Sequence, residues 1–301
     1  MDTNKKKEKS DKSKKISIKV DGPFLKAAFE ILNGINQEQC YFKCTALGFT
    51  ITSVTNTSQQ KKSKKQQGNT KGRCQAHYTF ESKKIPRYRY GLITKDMKPI
   101  EYCDFLVKTS DFYQHIKALK KPTISFKILV NINEPSYSLQ FTTSSGGYSF
   151  LSTQLAPKRI TYVDQFDYWY SDVKQVANLE SQSLHSFIYG AKQTKCTEVQ
   201  FCLNKRTRNM TLKTWEKDVL VSSDPMENVE SISSYEDDDE DDHYIIRTVD
   251  IGIDDWVGSI NKLSTRSVIL IYMKDDDKAP LIITSHIGTQ GYAVFSIPNT
   301  V

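Results

Sequence analysis

"APLIITSHIGTQGYAVFSIPN" occupies residues 279–299. Two apolar runs flank Gly288-Thr289-Gln290-Gly291, so the stretch predicts a β-hairpin. Its final residues, Phe295-Ser296-Ile297-Pro298, carry no charge. A segment near a terminus is usually exposed and frayed. This one is therefore either tucked into the fold or half of an apolar landing surface for a partner.

Working back from the hairpin, strand-like segments dominate. "QCYFKCTA", "GFTITSVTN", "AHYTFES", "PTISFKILVNI", "SYSLQFTT", "YSFLSTQLA", "TEVQFCLN", "NMTLKTWE", "DVLVSSD", "HYIIRTVDI" and "SVILIYMK" alternate or run β-branched and aromatic. Turns such as Asn204-Lys205-Arg206 and Ser144-Ser145-Gly146-Gly147 separate several of them.

Four short amphipathic helices interrupt the strands, in a recurring order of strand, helix, then several strands. The first is 23–33, with Pro23 in its first turn. Phe24, Leu25, Ala28, Phe29 and Leu32 share one side and Lys26, Glu30 and Asn33 the other. The second is 110–121, capped by Ser110 or Asp111, with Phe112, Ile116 and Leu119 opposite Gln114, Lys117 and Lys121. In the third, 182–193, Leu184, Phe187, Ile188 and Ala191 face in; His185, Tyr189 and Lys192 face out. The fourth, 253–264, turns Trp256, Val257, Ile260 and Leu263 inward and Asp255, Ser259 and Lys262 outward. Each is about 16 Å long at 1.5 Å per residue. The fold class expected is α+β, with lone helices covering antiparallel sheets.

Residues 1–15 hold seven lysines and no large apolar side chain, which predicts a disordered basic arm. Domain 1 is expected over 16–156 and domain 2 over 173–301. The segment 157–172, "PKRITYVDQFDYWYSD", lacks helical period and reads as an extended connector. Two polar insertions interrupt the pattern: a basic loop at 57–73 and an acidic one at 224–242.

The 301 residues carry 42 Lys and Arg against 35 Asp and Glu, a net charge of +7. Seven of the acids form the run 236–242, and without that run the balance is +14. A polyanionic partner, nucleic acid first, fits such a surplus. The acidic loop is either a solvated insertion or a mask for the basic surface. No apolar run reaches the ~18 residues of a membrane span, so no membrane is expected. The N-terminus lacks the apolar core of a secretory signal. Cysteines 40, 44, 74, 103, 196 and 202 show no disulfide-framework spacing, which suggests reduced thiols and an intracellular, non-secreted protein.

No catalytic constellation stands out. H-E-x-x-H, G-x-S-x-G, C-x-x-C and a phosphate loop are all missing. Asp275-Asp276-Asp277 falls between two strand-like runs and reads as a turn rather than a metal-dependent nuclease site. Cys74 and His77 make one metal-like pair without a second. A non-enzymatic protein without metal or cofactor is expected.

The order of elements, with "GPFLKAAFEILNGINQEQCYFKCTALGFTITSVTN" at one end and "KAPLIITSHIGTQGYAVFSIPN" at the other, resembles the PCNA-like DNA sliding clamps. The likeness is to the divergent clamps of large cytoplasmic DNA viruses, and it covers roughly residues 16–298. The two ends carry it; the middle matches in order and length of elements.

The resemblance implies two similar domains, each with two helices, in a head-to-tail homotrimeric ring around double-stranded DNA. The ring would act as a processivity factor and docking platform for DNA polymerase and other replication and repair proteins. The setting implied is the host cytoplasm at viral replication sites, with the nucleus as the alternative.

By position, Lys26, Lys117 and Lys262 match the family's inner-surface lysines, with Lys120, Lys121 and Lys192 behind them. Glu30 and Asp255 dilute that field, which shifts weight to the N-terminal lysines and to Lys61, Lys62, Lys64 and Lys65. The partner-peptide groove would be floored by Pro280, Phe295, Ile297 and Pro298, with Val54 beside it and Ile160, Tyr162 and Val163 as its connector wall. The ring would close by pairing the strand of Tyr148, Phe150 and Leu151 with that of Val219, Leu220 and Val221 in the next chain. Two alternatives stay open: a monomeric polymerase accessory factor, and a single-strand binder using "RYRY" (87–90) and "DYWY" (167–170) as aromatic platforms.

Overall fold

The structure is a computed structural model. It describes residues 15–35, 39–54, 74–85, 87–91, 101–117, 123–131, 136–143, 148–154, 174–207, 209–214, 218–221, 244–251, 256–263 and 268–300. Over 15–24, 123–154 and 218–221 the description is of the backbone. The described residues are α+β, with antiparallel sheets and four helices. None of those helices is long and apolar enough to cross a membrane. The chain divides into two compact units. One is Met1–Asn56, Ala76–Thr161 and Ile287–Ala293; the other is Thr57–Gln75, Tyr162–His286 and Val294–Val301.

In the first unit, β1 (Lys15–Asp21) runs directly into α1 (Gly22–Gly34). Then follow β2 (Gln39–Thr45), β3 (Gly48–Val54), β4 (Gln75–Glu81), β5 (Arg87–Tyr90) and β6 (Tyr102–Lys108). β6 leads without a break into α2 (Thr109–Lys117), and β7 (Thr123–Asn131), β8 (Ser136–Thr143) and β9 (Tyr148–Gln154) complete the series. One sheet has the order β5-β1-β7-β8-β9, and β4-β3-β2-β6 are neighbours in another. α2 is described as far as Lys117; the remainder of the stretch expected as helix, 118–121, lies outside the described residues.

Strict alternation drives this unit. β2 buries Cys40, Phe42 and Cys44 on one face and leaves Tyr41, Lys43 and Thr45 half-exposed on the other. α1 buries Leu25, Ala28, Phe29 and Leu32, the stripe its 3.6-residue period predicts, and adds Ile31 and Ile35. α2 contributes Phe112 and Ile116. Three rings lock the helices to the sheet. Phe29 lies 4.1 Å from Phe112 and 5.8 Å from Phe42, and Phe42 lies 5.5 Å from Phe112, centroid to centroid. Emptying any of these positions to Ala costs about 3–5 kcal/mol. Gly48 has φ +149 and sits so close to β4 that a Cβ would lie 2.0 Å from the Phe80 carbonyl oxygen.

The second unit repeats the direct strand-to-helix step. β10 (Lys174–Glu180) runs into α3 (Ser181–Gln193), followed by β11 (Glu198–Asn204), β12 (Met210–Lys213), β13 (Asp218–Val221) and β14 (Tyr244–Asp250). α4 (Trp256–Leu263) precedes β15 (Val268–Met273), β16 (Leu281–Ile287) and β17 (Gly291–Ile297). One sheet has the order β13-β12-β11-β14, and β10-β15-β16-β17 are neighbours in another. α3 and α4 pack on one another, as α1 and α2 do in the first unit. α3 buries Leu184, Ile188 and Ala191, while Phe187 is half-buried. The expected turn at Asn204 is there. The Asn204 side-chain oxygen accepts the backbone N–H groups of Arg206 (2.9 Å) and Thr207 (2.8 Å).

The opening hairpin is β16 and β17, joined by a turn with Gly288 at φ +51. Its strands are core. Leu281, Ile283, Ala293 and Phe295 are fully buried. β17 is divided between the units: Gly291–Ala293 belongs to the first and Val294–Ile297 to the second. At its start, a Cβ on Gly291 would lie 1.8 Å from the Thr79 carbonyl oxygen, so only glycine fits against β4.

Candidate nucleic-acid interface

Each helix pair presents cations away from its buried stripe. In the first unit, Lys26 of α1 is half-buried and Lys117, in the last turn of α2, is exposed beside exposed Gln114. Glu30 lies one turn beyond Lys26 on α1. In the second unit, Lys192 ends α3 half-buried, and α4 carries Lys262 near its end. The side chain of Lys262 lies outside the description, as do Lys120, Lys121, Lys61, Lys62, Lys64, Lys65 and Asp255 altogether. Sequence period alone located the helical lysines. Tyr189 of α3, 58% exposed and stacked on His185 at 6.2 Å, joins that outward face.

The residues expected to floor a peptide groove behave in two ways. Phe295 and Ile297 are 0% and 2% exposed, so within this chain they are core. Pro280 and Pro298 are half-buried and reach the surface. The backbone of Val54 closes β3, its side chain outside the description; Ile160, Tyr162 and Val163 lie outside the described residues. The uncharged tail is thus tucked in. Asn299 fixes it: its side-chain oxygen accepts the Thr248 N–H (3.0 Å) and its amide donates to the Asp277 carbonyl (2.8 Å). The Thr300 N–H then donates to the Thr248 carbonyl at 2.8 Å.

Those contacts cap one edge of the four-stranded sheet. Along β14, the Asp250 carbonyl accepts the Trp256 indole N–H at 3.1 Å, the backbone N–H and carbonyl of Thr248 are satisfied by the tail, and the Ile246 carbonyl accepts Arg247 Nη1 at 2.6 Å. Arg247 itself is fully buried, and its Nη2 donates to the carbonyls of Lys274 and Asp276. Burial pushes its pKa below the ordinary arginine value, while Asp277, Asp276 and Asp275 pull it back up. The Asp275–Asp277 segment is therefore a turn pinned by a buried guanidinium. Asp275 also pairs with Lys205 at 2.8 Å, which ties the turn to the β11–β12 corner. Nothing local to Arg247 signals its burial, because the two carbonyls its Nη2 serves lie 27 and 29 residues away.

At the opposite edge of that sheet stands β13, and β9 ends the five-stranded sheet. These are the strands of Tyr148, Phe150 and Leu151 and of Val219, Leu220 and Val221; their side chains lie outside the description.

Metal-binding geometry is missing among the described residues: no three His, Cys, Asp or Glu side chains gather. His77 faces the Thr52 hydroxyl with Nδ1 (2.7 Å) and the Thr79 hydroxyl with Nε2 (3.2 Å), which occupies both ring nitrogens. In "RYRY", Tyr88 and Tyr90 lie on the half-buried face of β5, and the Tyr88 hydroxyl lies within hydrogen-bond distance of the carbonyls of both Thr45 and Gly48, with one proton to donate between them. The exposed residues of that strand are Arg87 and Arg89, which a search for aromatic platforms passes over. "DYWY" lies outside the described residues.

Compared with protein-family models and with curated proteins, the chain finds no match in either.

Proposed function

We propose that the chain is one subunit of a DNA sliding clamp, a non-enzymatic processivity factor that closes as a homotrimer around duplex DNA. The observation that carries this is the unequal treatment of strand edges. Unpaired edges invite association and are normally blunted. Here β14 is blunted along its length, while β13 and β9 end their sheets. Edge-to-edge pairing of β9 with β13 of a neighbour is heterologous, and a suitable rotation closes such a contact into a ring. The helical lysines Lys26, Lys117, Lys192 and Lys262 would face the threaded duplex and touch phosphates without reading bases, which permits sliding.

DNA polymerase and other replication proteins would dock through a short peptide at the surface of Pro280 and Pro298. The inward turn of Tyr88 and Tyr90 weighs against a single-strand binder built on that strand.

Sedimentation at micromolar concentration tests the ring directly: a species of about three chains is expected, and a strict monomer removes the clamp. Pro280→Ala with Pro298→Ala is the suitable probe of peptide docking. Phe295→Ala would confound it by emptying the core at about 3–5 kcal/mol.

A further inference from the structure

One face of the five-stranded sheet is strongly basic, and the clamp function makes no use of it. β5 alternates exposed Arg87 and Arg89 with half-buried Tyr88 and Tyr90. Register carries the arginine face across the sheet. Arg87 stands opposite Lys19 and Arg89 opposite Ser17 of β1. Ser17 stands in turn opposite Lys127 of β7, and Lys15 lies two residues before Ser17 on the same face. Arg87, Arg89, Lys15, Lys19 and Lys127 thus share a face on three adjacent strands, within about 10 Å by 13 Å at ordinary strand spacing and rise. Asp21 is the acid of that face on β1.

We propose that this face is a second nucleic-acid surface, one that holds the phosphate backbone of DNA lying against the sheet. Edge protection accounts for basic residues on β5. It does not account for Lys127, because β7 is the central strand of the sheet, nor for the lysines of β1 one strand in. Like charges directly opposite one another, as at Arg87 and Lys19, destabilise a sheet until a counter-charge arrives. Among the described residues, neither arginine has an ion-pair partner. The positions between and beyond the cations favour DNA over a lipid surface. Ser17, Ser125, Gln140 and Thr142 follow in the same rows, and hydroxyl and amide groups bond phosphate oxygens without base contact. The rows of Arg87 and Arg89 place no large apolar residue before β9, where Tyr148 and Phe150 stand; Leu129, opposite Lys15, is the large apolar residue of β7 on that face.

The test uses the full chain and a covalently closed duplex circle, which a closed ring cannot thread. Wild type and Arg87→Gln/Arg89→Gln are titrated on it across a salt series. Loss of the two arginines is expected to weaken binding about tenfold or more at low salt and to make the log–log salt slope shallower by about two. Unchanged affinity and slope in the arginine variant overturn the proposal. So do anionic phospholipid vesicles that bind as tightly as the circle and lose binding with the same substitutions. If the arginine variant melts early, Lys127→Gln alone is read instead, with a slope change of about one expected and no change counting against the surface. The outcome is independent of the ring, since a monomer would still bind a circle through this face.

Discussion

The two edges of the four-stranded sheet are built on different principles. β14 is sealed from several directions at once, by an indole, a guanidinium, an asparagine side chain and the returning tail. β13 is four residues long and ends the sheet. A sheet edge is sticky by default, so with β14 sealed and β13 ending the sheet among the described residues, the proposed head-to-tail association would run through β13.

That contrast can be broken in a graded way. Arg247→Ala should do the most damage. It leaves the carbonyls of Lys274, Asp276 and Ile246 without their donor in a part-buried setting. A loss of about 3 kcal/mol is expected in denaturant unfolding, together with self-association through the uncovered β14 edge. Asn299→Ala removes two hydrogen bonds and releases the tail. About 1–2 kcal/mol is expected, with slower but detectable growth of higher oligomers in light scattering. Asp275→Asn breaks an exposed ion pair with Lys205 and removes the weakest of three carboxylates that favour the charged Arg247, and thermal melts should fall by about 1 kcal/mol or less. The last variant sharpens the comparison from the other side. Leu220 stands opposite Thr211, which is half-exposed. On β13, Leu220→Lys is expected to replace the proposed trimer with monomer on sedimentation more than it changes stability. If β14 variants alter assembly state without altering stability, or the Leu220 variant does the reverse, the division of labour between the edges is wrong.

The strands and helices were largely legible because their periods are clean. α1 and β2 show apolar residues at the intervals their geometry demands, and both sit where the sequence puts them. β10 is harder to see. "KQVANLE" has a polar, low-propensity composition and becomes a strand through its ladder with β15. The lysines of the candidate interface could be picked by helical face, since facing is a local property. The fate of Phe295 and Ile297 could not, because a tail is tucked or exposed according to distant partners, here Thr248 some 51 residues upstream of Asn299. Arg247 failed in the same way. In "YIIRTVD" it looks like the polar member of an alternating strand, and only the folded turn at 274–278 explains why a guanidinium goes inside. Arg87 and Arg89 were visible all along, but their meaning depends on strand register, which composition does not encode.

β17 gives part of itself to each unit, and Gly291 presses on Thr79 from about 200 positions later in the chain. During synthesis the first unit therefore emerges from the ribosome long before its closing strand exists. At ordinary elongation rates of 5–20 residues per second, that leaves a wait of roughly ten seconds or more with an open β4 edge. The β4–β17 pairing can form only after residue 291 has been made.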